Sequence, residues 1–248
     1  INQLRTNWNK MKFSSAGAAG GPNIQFQFYE ALVKETERLI KSIAYHSKLV
    51  HDPNLETFLL INLLVNTLPD TLDNLGYTRG YGAYALSLKA IDYETFKTFD
   101  KIYDDLQSNH ELLSQNLTFT LNESSNPKLQ DIFTVLTNSS TSASGYFYTN
   151  LIEKDFITEE WQNYFNVISQ SFDGIRKSTL KIIPIIHQQI NQRITLELYK
   201  FWGISIGTLA LVFVIFYLYA GMYISIALVS KNFIKKAKQV ASGDLSVH

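Results

Sequence analysis

The feature that most constrains this chain is a long segment without any acidic, basic or histidine residue, which runs from Phe201 to Ser230. A helix that crosses a membrane needs about 20 mostly apolar residues, because each residue adds only about 1.5 Å along the helix axis. The other environment that suits such a helix is the centre of a large soluble protein. The rest of this 248-residue chain is too small to cover it on every side. The segment therefore predicts one transmembrane helix.

The charges beside this segment predict its orientation. Four lysines follow it closely: Lys231, Lys235, Lys236 and Lys238. The upstream flank has only Arg193 and Lys200 nearby, with Glu197 between them. Because basic residues are in excess on the cytoplasmic side of membrane helices, we expect residues 231–248 inside the cell and residues 1–200 outside.

Composition argues against several classes of protein. The chain contains no cysteine, which excludes disulfides, thiol nucleophiles and thiolate metal sites. Its formal net charge is zero, so we expect no electrostatic binding to nucleic acid. His46 and His51 lie on different faces of a helix, and we expect neither a metal site nor a cofactor. The sequence has no nucleophile–base pair and no phosphate-binding glycine loop, so we expect no catalytic role for this portion.

Apolar residues recur every three or four positions along most of the external part, which is the period of an amphipathic helix. With capping and turn signals as boundaries, the pattern predicts five helices, at residues 24–50, 53–89, 93–120, 127–152 and from about 158 into the membrane segment. Asp52 is expected to cap the second helix, and Thr158 the last. Pro69 and Pro184 lie inside two of the helices. Because the apolar pattern keeps its phase across each proline, we expect a bend and not an end.

The apolar positions of the last external helix continue into the membrane segment without a break signal. They are Trp161, Phe165, Ile168, Phe172, Ile175, Ile182 or Ile183, Ile186, Ile190 and Ile194. The predicted fold is all-α: an antiparallel up-and-down helical bundle that is continuous with one transmembrane helix and a short cytoplasmic helix. The predicted domains are an N-terminal segment (1–22), an extracytoplasmic bundle (23–200), the transmembrane helix (201–228) and a cytoplasmic segment (229–248). Since an external domain needs an export signal and the chain opens on Ile1, we expect a further N-terminal portion upstream.

Arg79 is the best candidate for a ligand-binding residue. It falls among the apolar positions of the second helix, where an unpaired cation is costly, and Tyr77, Tyr81 and Tyr84 lie nearby. A guanidinium group with neighbouring hydroxyls can bind a carboxylate or an inorganic anion bidentately. The alternative is structural: Arg79 pairs with an acid of a neighbouring helix or packs across a dimer interface.

A second apolar pattern follows the membrane segment. Five positions have the spacing of a coiled-coil seam: Ile226, Ser230, Phe233, Ala237 and Val240. Such a seam requires partner helices. The stretch from Lys235 to Ser246 reads KKAKQVASGDLS and resembles the end of the first helix of a HAMP linker, which joins membrane helices to signalling domains in bacterial receptors. In that family a proline often precedes the Gly-Asp-Leu motif by fourteen residues, whereas this chain has Val229 there.

The external part carries a second resemblance. The segments Ser47–Pro53, Leu68–Pro69 and Leu75–Gly82 are similar to helical sensor regions of bacterial methyl-accepting chemotaxis proteins, which share Ser-x-Leu-x-x-Asp-Pro, Leu-Pro and Leu-Gly-x-x-Arg. Related regions precede HAMP linkers in sensor histidine kinases and cyclic-di-GMP synthases. The resemblance implies a homodimeric receptor whose output domain is not part of this sequence.

These features predict the ligand-sensing and transmembrane signal-transducing portion of a bacterial chemoreceptor in the inner membrane. Its sensor domain would be periplasmic or extracellular and would bind a small anionic ligand or a periplasmic binding protein. Two alternatives stay open. One is the same sensor module of a histidine kinase or diguanylate cyclase, and the other is a membrane-anchored helical scaffold that senses nothing.

The predicted orientation can be tested on intact cells, because the chain has no native cysteine. A cysteine at Asn116 should react with a membrane-impermeant thiol reagent, whereas a cysteine at Ser246 should react only after the cells are opened. The opposite labelling would show that the lysines lie outside the cell.

Overall fold

The computed structural model describes residues 5–6, 22–89, 91–124, 126–154 and 157–242. Within these ranges the chain is helical and contains no strand, which confirms the all-α prediction. The helices are α1 (Pro22–His46), α2 (Leu55–Asn62), α3 (Leu68–Ser87), α4 (Tyr93–Glu123), α5 (Pro127–Phe147) and α6 (Trp161–Ala241). The predicted N-terminal loop and the Gly-Asp-Leu motif lie outside the described residues.

The segment predicted as one helix around Pro69 remains helical throughout, from α2 through a π-helical turn (Leu63–Thr67) into α3. Proline lacks an N–H, and its ring clashes with the carbonyl four residues earlier in a regular α-helix. The π turn widens the backbone directly before the proline: Leu68 N–H donates to the carbonyl of Leu63, five residues back. The apolar pattern predicted that the helix continues across Pro69 and does not restart there, and the structure confirms this continuity. α6 likewise continues through Pro184.

Two predicted caps are wrong. Asn54, not Asp52, caps α2: its side-chain oxygen accepts from the backbone N–H of Thr57 at 2.9 Å, while Asp52 accepts from Asn54 N–H in a tight turn. α6 begins at Trp161, with Tyr164 N–H donating to the carbonyl of Glu160, so Thr158 lies before the helix.

α4 runs in the opposite direction to α2 and α3. Near its start, Phe99 meets Tyr81 of α3 edge to face, with 6.1 Å between the ring centroids. Further along, Asn116 Nδ2 donates to Thr67 Oγ1 in the π turn at 2.9 Å. Because this bond leaves Asn116 half-buried, the exposed Thr118 is the better position for the cysteine probe of orientation.

α5 and α6 complete the packing of the first compact unit, Ile1–Ile190. Phe147 of α5 packs edge to face on Phe99, with 5.7 Å between the ring centroids. Tyr164 of α6 donates from its hydroxyl to the carbonyl of Thr78 at 2.8 Å. At the other end of this unit, Thr57 Oγ1 donates to Gln189 Oε1 at 2.9 Å. α6 therefore runs antiparallel to α2 and α3 along this unit.

The buried face of α6 agrees with the predicted one only in part, at Ile168, Ile175, Ile182 and Ile186. Its buried positions are Tyr164, Ile168, Ser171, Ile175, Ser178, Ile182, Ile185 and Ile186. Trp161 and Phe165, which were expected on the core face, are 41% and 39% exposed. Small residues also belong to this face: serine occupies two of the buried positions, and α5 approaches closely at Gly174, where an added Cβ would meet Ser139 Oγ. A pattern of large apolar residues alone misses a face built partly from serine and glycine.

The second compact unit, Asn191–His248, is helical over its described part as far as Ala241. Its apolar side chains are exposed along the whole uncharged segment, and the helix that carries them is long and apolar enough to cross a membrane. In water such a surface is unfavourable, at roughly 25 cal/mol for each Å² of exposed apolar area. In a bilayer these side chains would contact lipid chains instead of water, which removes this cost.

Gly82 is required where α3 crosses α6. A Cβ added there would overlap the ring and hydroxyl of Tyr164, which is fully buried and cannot move away without losing its bond to Thr78. A substitution at Gly82 therefore tests how closely these two helices pack.

We expect Gly82→Ala to lower the free energy of unfolding by about 1–3 kcal/mol, because overpacking outweighs the gain in helix propensity. Gly145→Ala in α5 is the matched control, since nothing lies within 4 Å of its added Cβ, and it should stabilise the chain by up to about 1 kcal/mol. Urea denaturation of the detergent-solubilised chain, followed by circular dichroism, measures both. Equal effects would show that α3 and α6 do not approach closely at Gly82.

Candidate functional site

The main candidate for a binding site is an open groove of about 1000 Å³ in the first unit. α1, α3 and α4 form its walls, and Phe172 of α6 also lines it. α1 is only lightly packed here: the apolar side chains Tyr29, Val33 and Ile40 remain partly exposed and line the groove. A concave site of this size, with apolar and polar lining, is typical of small-molecule binding sites.

The groove carries more negative than positive charge. Its described lining contains the carboxylates of Glu30, Glu37, Asp70, Asp73 and Asp105 and the cations of Lys34, Arg79 and Lys101. Lys34 Nζ pairs with Glu30 at 2.9 Å, and Lys41 Nζ lies 3.8 Å from Asp70, so two of the five carboxylates are paired. The three remaining acids still outnumber the two remaining cations, so the groove favours a cation over an anion, by a small excess of charge.

Glu37 of α1 and Asp73 of α3 are the least compensated of these acids. Burial raises the pKa of the Asp73 carboxyl above its usual range, and the neighbouring Glu30 and Asp70 raise it further, although Lys34 lowers it. Burial also raises the pKa of Glu37, with smaller contributions from Asp73 and Asp70. Both acids cost folding free energy when ionised, so they destabilise the unit as the pH rises through their pKa values.

Arg79 lies at the groove, and its neighbours are not the acid of an adjacent helix that the structural alternative predicted. Its guanidinium lies over the rings of Phe165 and Phe172 of α6, 5.1 and 4.7 Å from the two ring centroids. Its Nη1 also donates a long bond of 3.4 Å to Ser169 Oγ. Within the described part of the chain, Arg79 forms no ion pair with an acid. Aromatic faces, not a carboxylate, accommodate the cation in the apolar stripe.

The three tyrosines predicted to lie near Arg79 have different surroundings in the structure. Tyr77 lines the groove and stacks on Tyr81, with 5.7 Å between ring centroids. Burial raises the pKa of the Tyr77 hydroxyl, and Tyr81 adds to the effect. Tyr81 turns its ring toward Phe99 and packs against the core. Tyr84 is not among the lining residues, so the structure brings only Arg79 and Tyr77 of the predicted set together at the groove.

Sequence reasoning missed the acidic side of the groove. Asp70, Asp73 and Tyr77 are three and four residues apart, which places them on one face of α3. On α1, Tyr29, Val33, Thr36 and Ile40 have the same spacing and line the groove. Both patterns are visible in the sequence, but the same spacing is also typical of a helix face that lines no binding site. Only the packing of α1 beside α3 makes them two walls of one site.

No protein family, curated protein or solved structure matches this chain.

Arg79→Ala should lower the free energy of unfolding by about 1–2 kcal/mol, because two aromatic contacts and the packing of the side-chain stem are lost. Arg79→Lys should lie between wild type and alanine, since it keeps the charge but loses the planar stacking. Lys128→Ala, at an exposed position on α5, is the control and should change stability by less than about 0.5 kcal/mol. Urea denaturation measures all three. A loss of about 3–5 kcal/mol for alanine would instead indicate a buried ion pair.

Proposed function

We propose that this chain is the ligand-sensing and transmembrane signal-transducing portion of a bacterial receptor of the methyl-accepting chemotaxis type. One observation carries the proposal. The helix that supplies Phe172 to the groove, and on whose rings Arg79 lies, is the same helix that contains the uncharged segment from Phe201 to Ser230. A ligand in the groove would therefore contact the element that enters the membrane.

The external part of such a receptor is an antiparallel up-and-down bundle of four helical segments. The contacts of α2–α3, α4, α5 and α6 support this arrangement, because each neighbouring pair of segments meets in opposite directions. For α4 and α5 the pairs are Phe99 with Phe147 and His110 with Ser140, and for α5 and α6 they are Phe147 with Tyr164 and Ser139 with Gly174. α1 adds a fifth, lightly packed helix over the groove. A helix with few buried contacts is the easiest element for a ligand to displace.

The charge of the groove bears on the ligand. A small anion, the ligand class that Arg79 suggests, would approach Arg79 past an excess of carboxylates. A compound with an ammonium group would find Glu37 and Asp73 for its charge and the ring of Tyr77 for a cation–π contact. We therefore extend the proposed ligands to amines and amino acids, while a periplasmic binding protein remains an alternative partner.

Signal transfer would proceed through α6. A ligand that moves α1 or Phe172 shifts or rotates α6, and the cytoplasmic seam of Ile226, Phe233 and Ala237 meets the same seam of a second copy. Two packings of that seam would be the two states that the ligand biases. The HAMP-like segment would pass the change to an output domain outside this chain.

A thermal-shift screen of the full chain in lipid nanodiscs tests the proposal, with amines, amino acids and inorganic anions as probes. We expect at least one compound to raise the unfolding temperature of the wild type. The shift should be lost or strongly reduced in Asp73→Asn, or in Arg79→Lys if the ligand is an anion. Because burial already favours the neutral form of Asp73, the asparagine variant should remain folded.

Asp131→Asn, at an exposed position on α5 outside the groove, is the matched control and should keep the full shift. If every active compound stabilised the groove variants as well as the wild type, the groove would not be the ligand site. If no compound acted, the scaffold alternative would be favoured.

A further inference from the structure

The described part of the second unit ends in a helical segment with one strongly charged face. Lys231, Lys235 and Lys238 are exposed and lie within two turns of α6. We propose that this lysine row binds the headgroups of anionic phospholipids and so fixes the depth of the membrane helix. The inference rests on the proposed membrane crossing and adds a lipid partner to it.

The row is one face of the helix. At about 100° per residue, the three lysines lie within an arc of roughly 60°, and they extend over about 10 Å of the helix axis. The hydrophobic seam positions Ile226 and Phe233 lie roughly 140–160° away from Lys231 on the helical wheel. A second copy on the seam therefore leaves the lysine row facing outward, toward lipid.

The length of the uncharged segment places the row at the headgroups. From Phe201 to Ser230 an α-helix measures about 45 Å, close to the roughly 40–45 Å of a bilayer that includes both headgroup layers. Lys231 is the next residue, and a lysine side chain can extend several ångströms back along the helix toward the surface. The ammonium groups of Lys231 and Lys235 can thus reach the level of lipid phosphates, while Lys238 lies about 10 Å further out, near enough to be attracted by an anionic surface.

The charge of this row is not compensated within the protein's own helix. No Asp or Glu occurs between Glu197 and Asp244. In the described residues, none of the three lysines forms an ion pair. The other end of the membrane segment is different, because Lys200 Nζ pairs with Glu197 at 2.7 Å. The lysine nearest the membrane segment on that flank is therefore paired, whereas the three lysines of the row are available to attract anions, each contributing about 1 kcal/mol near an anionic surface.

Brominated lipids, which quench tryptophan on contact, test the proposal in the full chain reconstituted in vesicles. Trp8, Trp161 and Trp202 are first replaced by phenylalanine. Leu228→Trp then reports from the lysine side, one turn before Lys231. Quenching is compared between brominated phosphatidylglycerol and brominated phosphatidylcholine at equal mole fractions. We expect the anionic lipid to be preferred about threefold at Leu228→Trp.

The controls separate lipid recognition from simple membrane contact. Replacing the three lysines by glutamine should bring the preference close to one, whereas replacing them by arginine should preserve it. Ile226→Trp, at nearly the same depth on the opposite face, should show little preference. Added inorganic phosphate at constant ionic strength should not compete, because a row of separated charges binds a surface and not a single free ion.

Equal quenching of Leu228→Trp by the two lipids would overturn the lipid proposal while leaving the membrane crossing intact. The lipid proposal would also be overturned if the preference survived in the glutamine variant. Absence of quenching by either lipid would show that this helix does not enter the bilayer, and would overturn the proposed receptor topology as well.

Discussion

The contact between α3 and α6 is the interaction on which the first unit depends. Tyr164 is wholly buried, donates to the carbonyl of Thr78 and lies against the bare backbone at Gly82. A buried hydroxyl without a partner would cost about 1–3 kcal/mol, so this hydrogen bond fixes the position of the ring. With the two helices held this closely, the guanidinium of Arg79 reaches the ring of Phe165, the residue after Tyr164, and that of Phe172, about two turns further along α6. The groove is open beside this contact.

The two compact units place their apolar side chains in different surroundings. In the first, buried serine and glycine on α6 allow close helix packing, and the large apolar side chains of four helical segments form the core. In the second, the apolar side chains of the uncharged segment remain exposed. Burial against other helices stabilises the first unit, whereas lipid would have to supply that environment for the second. A charged side chain within the uncharged segment would be costly there, and the sequence has no Asp, Glu, Lys, Arg or His between Lys200 and Lys231.

The surroundings of Arg79 show how a cation is accommodated in an apolar stripe. Two aromatic faces and a serine hydroxyl of α6 surround the guanidinium, in place of the acid of a neighbouring helix that was one of the sequence-based alternatives. Acids are abundant at the groove, but they come from α1, α3 and α4 and include Asp73, which burial makes harder to ionise. The net charge of the groove therefore depends on acidic and basic residues from three helices and cannot be read from the sequence of any one of them.

The sequence by itself determined the helical class, the approximate helix boundaries and the presence of one helix apolar enough for a membrane. These follow from local periodicity, from capping residues such as Asp92 and Asn126, and from the absence of charge over a long segment. Tertiary structure decided which face of α6 is buried, how the helix passes Pro69, and that Tyr77 but not Tyr84 lines the groove. The physical reason is that periodicity records how often apolar residues recur along one helix. Close approach at Gly82 and the sharing of charge between α1 and α3 depend on which helices become neighbours.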